Sequence, residues 1–319
     1  MARGSTAQQP DRTRPGKMIA VGGAKGGIGK SLFVANLGVF LSRLGKTVVL
    51  VDLDLGGANL HLYMGVWSLP KRIDDFLTKK VTAITDVMLP TQFGPMLIGG
   101  GGAKLGSANI HFSRKLKLLR ALKTIGADYV ILDLGGDTTY NILDFYLAAD
   151  QGIVLTTCEP ASYLDAYGFI KMALHRKLTR LFGPESDHRQ LRDVEVEQRI
   201  KNFILTHTSG NGSHITDLVD QMAQASPPHH RLIQSMLETF RPGTVVTMVN
   251  PRDQIDELIA RLGKVSQKML SIGLNHCGCV PFEKQIQQSA KELVPSVATS
   301  PDGPFASALR RIVLRMEMA

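Results

Sequence analysis

The sequence predicts an α/β fold: a doubly wound, mostly parallel sheet carrying a helical insertion. Three observations point to it. Short apolar runs of strand length alternate with stretches of helical periodicity along most of the chain. The best-defined run, Thr47 to Val51, is apolar or β-branched at successive positions, the pattern of a strand buried on both faces of a parallel sheet. A glycine-rich segment, Gly22 to Ser31, stands between a strand and a helix. With 319 residues, 44% of them apolar, the chain can build a substantial core.

Residues 1–17 are polar, include Arg3, Arg12 and Arg14, and read as a flexible tail without the apolar segment of a secretory signal. Residues 18–319 read as a single domain. Met18 to Val21 is the first strand and runs straight into the glycine-rich loop. From Ser31 onward, Phe33, Leu37, Phe40, Leu41 and Leu44 recur at helical spacing and stop at Gly45, a natural helix terminator. Thr47 to Val51 is the second strand, with Asp52 and Asp54 at its C-terminal edge. Further strands are expected at Met96 to Ile98, Tyr129 to Leu132, Gly152 to Thr156, Phe203 to Leu205, Val245 to Val249 and Cys277 to Val280. Gly99 to Gly102 reads as a loop. The segment at about 183–242 is rich in charge, with Glu185, Asp187, Arg189 and Arg192, and is interrupted by Pro227, Pro228, His229 and His230. It reads as a mostly helical insertion.

Composition excludes several classes. No apolar run approaches the ~20 residues of a membrane span. Cys158, Cys277 and Cys279 are too few for a disulfide framework, and the last two are too close together to ligate zinc by themselves, so packing is their expected role. A cytoplasmic location follows. Thirty-seven Lys and Arg against 28 Asp and Glu give a net charge of +9, which favours polyanionic partners without specifying one. Two basic helices stand out, one with Arg114, Lys115, Lys117, Arg120 and Lys123, the other with Lys171, His175, Arg176, Lys177 and Arg180. Each interleaves apolar positions and is expected to show a solvated face, with sequence-independent DNA contact as the alternative. Near the C-terminus, Phe305, Leu309, Ile312, Val313 and Met316 share one helical face. A last helix covering the sheet is expected there, with a membrane-surface helix as the alternative.

The loop carries the chemistry. A phosphate-binding loop needs Gly, four residues, then Gly-Lys-Ser/Thr, so that successive backbone N–H groups can wrap phosphates. Gly29, Lys30 and Ser31 satisfy its end, whereas Ala24 stands at its first glycine. Complete here is a variant, Lys25-Gly26-Gly27-Ile28-Gly29-Lys30-Ser31, with an additional lysine at its start. Chance matches to its six fixed positions are on the order of 10⁻⁷ per window. Lys30 is a flexible cation able to reach β- and γ-phosphates, Ser31 offers a hydroxyl to Mg²⁺, and Asp133 can hold a magnesium-bound water.

At this loop the sequence resembles the MinD/ParA family of P-loop ATPases, whose deviant Walker A motif carries the extra lysine. Val51-Asp52-Leu53-Asp54 followed by Gly56 to Leu60 is similar to the family's switch I. Tyr129 to Asp133 followed by Leu134-Gly135-Gly136 is similar to its Walker B and switch II. Glu159-Pro160-Ala161-Ser162, Asp165-Ala166-Tyr167 and Ile170-Lys171 resemble the MinD-like branch that regulates flagellar number and placement. Val249-Asn250, and Gly278 to Glu283 before Ile286, resemble the late segments that hold adenine, which implies Asn250, Pro281 and Phe282 as nucleotide contacts. Matches span most of residues 18–294.

The resemblance implies ATP and Mg²⁺ as cofactors, with hydrolysis that is slow and partner-activated. It also implies an ATP-dependent homodimer in which Lys25 reaches the partner's phosphates. Asp54 would orient the attacking water and Asp52 would support the magnesium shell, the two being read as facing opposite sides of their strand. The catalytic set is then Lys25, Lys30 and Asp54, and the metal set Ser31, Asp52 and Asp133. A switch that positions flagella, division, pilus or partition machinery is expected, with a protein activator or cargo and with DNA or an acidic membrane as its working surface. The alternatives are a nucleotide-dependent scaffold with little turnover and a metal-cluster carrier, and the carrier is disfavoured because no cysteine lies between Met1 and Thr157. Two positions depart from the family. His61 stands where many relatives have aspartate, and Asp137 follows the switch II glycines where relatives have small residues. Gln8, Gln9 and Asp11 do not reproduce the N-terminal Asp-Gln-Ala motif of the flagellar regulators.

Overall fold

The computed structural model describes residues 16–54, 57–101, 111–182, 186, 193–208 and 214–317. Residues 1–15 of the expected tail, Gly56, Gly102 and residues 183–185, 187–192 and 209–213 of the expected insertion lie outside them. The first strand starts at Lys17, within the stretch expected to be flexible: β1 is Lys17–Gly22, followed by α1, Lys30–Arg43. The chain continues through β2 (Val48–Leu53), α2 (Leu60–Tyr63), α3 (Ile73–Leu77), a 3-10 turn (Ile84–Val87), β3 (Met88–Pro90), β4 (Met96–Ile98) and α4 (Phe112–Leu122). Next come β5 (Tyr129–Leu134), α5 (Tyr140–Ala148), β6 (Gln151–Thr156), α6 (Pro160–Leu181), α7 (Val194–Thr208), α8 (Ile215–Ala225) and α9 (Pro227–Thr239). The last elements are β7 (Gly243–Val249), α10 (Ile255–Leu270), β8 (Asn275–Pro281), α11 (Lys284–Glu292), α12 (Ser296–Thr299) and α13 (Pro304–Glu317).

The eight strands form one sheet in the order β3-β4-β2-β5-β1-β6-β7-β8. Every pairing is parallel except β3 with β4, a short antiparallel edge that the sequence did not announce. Alternation along the strands sends side chains to two apolar cores. On one face Met18, Ala20, Val49, Val51, Val130 and Leu132 pack with α4, α5 and α6. On the other, Ile19, Val21, Leu50, Ile131 and Ile153 pack with α1 and α13. The fold is doubly wound, and the chain order reverses around β1. That switch point is where open α/β sheets bind ligands.

Three sequence expectations change. Phe203 to Leu205 is not a strand but lies inside α7. Val196, Ile200, Phe203 and His207 recur at helical spacing and are all buried, whereas Leu205 is exposed, so the short apolar run was one turn of an amphipathic helix. Pro227 and Pro228 do not interrupt a helix but begin α9, where a missing N–H costs nothing. The segment between α6 and β7 is helical throughout its described parts, with α7 against α6 and α8 against α9 and α10. The C-terminal helix covers the sheet. Phe305, Leu309, Ile312, Val313 and Met316 are each no more than 7% exposed in α13, which packs on β8.

The third change concerns the basic helices, whose cations are largely used inside the protein. Asp144 of α5 is buried and accepts hydrogen bonds from Lys115, from Arg176 Nε at 2.7 Å and Nη2 at 3.0 Å, and from Arg180 Nη1 at 3.3 Å. Burial alone would raise its pKa, but the bonds from Arg176 and Lys115 outweigh that and hold it below the ordinary carboxylate value. Lys117 donates to the Phe76 carbonyl at 2.7 Å and lies over its ring, and Lys177 lies over Phe240. Arg114 and Arg120 on α4, and Lys123 just after it, remain exposed.

Lys171 donates to the His207 carbonyl beside a buried histidine pair, His175 Nε2 to His207 Nδ1 at 2.7 Å, that joins α6 to α7. Burial lowers the His175 pKa to about 3 and that of His207 to about 4, with Lys171 adding to both shifts; His214 also lowers His207, and Asp217 opposes. The unfolded chain, titrating near 6.5, therefore binds more protons than the native one below neutrality. Stability should be full above about pH 7 and fall as pH drops below about 6.5, on the order of 2–4 kcal/mol for the pair at pH 5. Urea unfolding at pH 7.5 and pH 5.0 measures it. A His175→Phe/His207→Leu variant should lose most of this slope, and an unchanged slope would show that other groups cause it.

Candidate functional site

The loop between β1 and α1 sits at the C-terminal edge of the central strand. Gly27 and Gly29 take φ values of +77° and +85°, a left-handed backbone that favours glycine. A Cβ on Gly26 or Gly27 would meet nothing within 4 Å, so the loop presents bare backbone. Its end is the N-terminus of α1, where unpaired N–H groups and the helix dipole favour an anion. Lys30 is 8% exposed and its Nζ donates to the Lys25 carbonyl at 2.6 Å. Burial lowers its pKa, while Asp133, Asp54 and Asp137 pull the other way.

Parallel pairing of β2 with β5 sets Asp52 beside Asp133. Both are buried, and they differ in partners. Asp52 accepts the N–H groups of Leu60 at 3.0 Å and Asp54 at 3.1 Å, so it fastens the segment after β2. Burial pushes its pKa up to about 7 against those bonds. Asp133 is 1% exposed and neither of its oxygens has a hydrogen bond of good geometry. Burial and then Asp52 hold its pKa well above the ordinary value, opposed by the Ser31 hydroxyl and Lys30. A buried acid without a hydrogen bond of good geometry, beside a hydroxyl, is an oxygen-only set that fits a hard divalent cation.

Asp54 lies just past β2 and accepts the Gly57 N–H at 3.0 Å. Its charge acts on Asp52, Asp133 and Lys30. The expectation that Asp52 and Asp54 face opposite sides is therefore corrected: residues two apart on a strand share a side, and the charges of both acids act on Asp133. Gly136, after β5, approaches the loop so closely that a Cβ would come within 3.1 Å of the Gly26 nitrogen and 3.2 Å of Lys30 Nζ. A side chain there would require the loop or this segment to give by a few tenths of an ångström.

A cavity of about 450 Å³ opens over the loop. Gly26 to Ser31, Asp54, Pro281 and Phe282 line it, as the sequence suggested, while Asp52 and Asp133 are buried and outside its lining. Asn250 does not line it. Its backbone N–H donates to Asp253 at 2.7 Å and its amide lies 3.4 Å from the same oxygen, outside the cavity. Lys25 stands at the edge of the site, its ammonium 3.5 Å from Glu159 and its side chain 41% exposed. Residues missed in the sequence are Tyr63, Thr247, Met248, Gln287 and Phe305. Thr247 had no signature inside an apolar strand, yet its hydroxyl donates to the Ile28 carbonyl at 2.8 Å and ties β7 to the loop.

Comparison with known proteins places this geometry. A family model described as the CobQ/CobB/MinD/ParA nucleotide binding domain matches residues 19–295. Antiactivator FleN of Pseudomonas aeruginosa is 29% identical over 167 residues, covering 52% of this chain and 59% of FleN. Flagellum site-determining protein YlxH of Helicobacter pylori is 31% identical over 163 residues, covering 49% of this chain and 53% of YlxH. The matches thus span somewhat more than half the length of these relatives. In fold, the septum site-determining protein MinD complexed with Mg-ADP from Pyrococcus horikoshii superposes with a TM-score of 0.61 at 18% identity, covering 94% of this chain and 96% of that one. A ParA family ATPase from Chlorobium tepidum gives 0.59 at 15% identity, covering 96% and 99%. The family match takes in the loop, both acidic strands and the far wall of the cavity, and the chain belongs to the CobQ/CobB/MinD/ParA nucleotide-binding domain family.

Proposed function

We propose that this protein is an ATP-binding and ATP-hydrolysing switch that dimerises with ATP and Mg²⁺ and positions or regulates a cellular assembly. The observation that carries this reading is the different fate of the two loop lysines. Lys30 is buried in the cradle, whereas Lys25 is half-buried at the edge, where a single ion pair with the exposed Glu159 leaves it within reach of phosphates other than its own. In this reading Gly26 to Gly29 offer backbone N–H groups to the phosphates, Lys30 leaves the Lys25 carbonyl for the β- and γ-phosphates, and Lys25 meets those of a second copy. Asp54 orients the attacking water, and Asp52 holds the segment that carries Asp54. Ser31 and Asp133 would hold Mg²⁺, which when bound neutralises charge between the β- and γ-phosphates. The name of YlxH, a flagellum site-determining protein, favours flagellar placement as the assembly regulated, and the switch would act in the cytoplasm through a protein activator or cargo.

The test is mass. With Mg²⁺ and a non-hydrolysable ATP analogue, light scattering should show the dimer, and with ADP the monomer. With ATP itself, phosphate release should be measurable and rise with protein concentration. A monomer under all conditions would overturn the switch, and a dimer without phosphate release would leave a nucleotide-dependent scaffold.

A further inference from the structure

Met248 is the feature that the site as described leaves unused. It lies within β7, yet its φ is +57°, a left-handed conformation that strains any residue with a Cβ. The pairing of β7 with β8 slips between Val246 and Val249, so the strain belongs to a local irregularity of the strand. Strain of this kind persists only where surrounding structure enforces it, and it gathers at functional sites. Here the surroundings are visible. Thr247, one residue before, is fixed to the Ile28 and Thr156 carbonyls, and Val249, one residue after, accepts the Phe282 N–H at 2.8 Å.

The consequence is the direction of the side chain. Met248 lines the cavity and its Cε stands 3.7 Å from the place a Cβ would occupy on Gly29, the residue just before α1. It shares the lining of that cavity with the bare backbone of the loop and with the apolar side chains of Phe282, Ile286 and Phe305. A polarisable, flexible thioether suits contact with the flat face of a ring better than contact with a phosphate.

Resting on the proposed nucleotide site, we infer that Met248 is a specificity-determining residue that contacts the nucleoside half of the bound nucleotide, and that the left-handed turn in β7 is kept to hold it there. The contact is apolar, so it should distinguish a nucleotide from its bare phosphate chain. Calorimetric titration of the full chain with Mg²⁺ and either ADP or inorganic tripolyphosphate reads this difference. Met248→Ala and Met248→Gly should each bind ADP about tenfold more weakly and tripolyphosphate as the parent does, with Met248→Leu close to the parent on both. The two small variants separate contact from strain. At a left-handed position glycine should melt at or above alanine, the reverse of their usual order. ADP affinity unchanged in both variants, or tripolyphosphate weakened as much as ADP, would overturn the inference and leave the proposed site standing. A parent protein that binds neither ligand would overturn the proposed site and this inference with it.

Discussion

Lys30→Ala should abolish measurable binding of ATP and ADP, whereas Lys25→Ala should bind both almost as the parent does and fail to dimerise. The expectation follows from where the two side chains sit. Lys30 is the buried cation of the cradle, surrounded by the charges of Asp133, Asp54 and Asp137. Its loss removes the charge that would meet the β- and γ-phosphates and leaves those acids facing the anion, which should weaken binding by roughly 100-fold or more. Lys25 is half-buried and, among the described residues, is ion-paired with the exposed Glu159, a contact of the kind that contributes little to stability. Its removal should not disturb the fold. A residue that reaches a second copy's phosphates acts as an arginine finger does, so turnover should fall by roughly 10³-fold or more. Titration calorimetry with light scattering and phosphate release reads all three quantities. Equal loss of binding in both variants would mean that Lys25 serves its own nucleotide.

Truncation after Gly303 should leave a protein that does not melt cooperatively. The deleted helix buries Phe305, Leu309, Ile312, Val313 and Met316 against β8 and the core on the α1 side of the sheet. At ~1.5–3 kcal/mol each, their burial is worth roughly 8–15 kcal/mol as an upper bound, comparable with the ~5–15 kcal/mol of a whole domain. β8 would also become an uncovered edge strand, an invitation to aggregate. Leu309→Ala, a milder change, should cost about 2–5 kcal/mol by circular dichroism in urea. A truncated protein that melts with the full chain but no longer sediments with anionic liposomes would instead identify α13 as a membrane-surface helix.

The site was legible in the sequence to the extent that its chemistry is local. Lys25 to Ser31 is one continuous segment whose spacing is its function, and it reads without any knowledge of what surrounds it. Asp133 could be read because an acid at the end of a buried strand is conspicuous. The errors fell where a residue's role depends on a neighbour distant in sequence. Phe203 to Leu205 looked like a strand because three apolar residues cannot reveal whether the period is two or near four. Lys115, Arg176 and Arg180 looked like solvated charges because nothing local to them announces Asp144, which gathers them from two helices, α4 and α6.

The sequence by itself determined the phosphate loop, the alternation of strand and helix and the amphipathic face of the last helix, since each is written in periodicity or spacing within about fifteen residues. Only the tertiary structure decided which side chains meet. It set Asp52 beside Asp133 through the register of β2 with β5, it kept Asn250 away from the cavity by giving it Asp253, and it turned Met248 toward Gly29 through an irregularity in β7. The physical reason is that backbone propensity and hydrophobic period act between near neighbours. Desolvation, charge pairing and strain are properties of groups brought together by the sheet, and they exist only once its strands have taken their order.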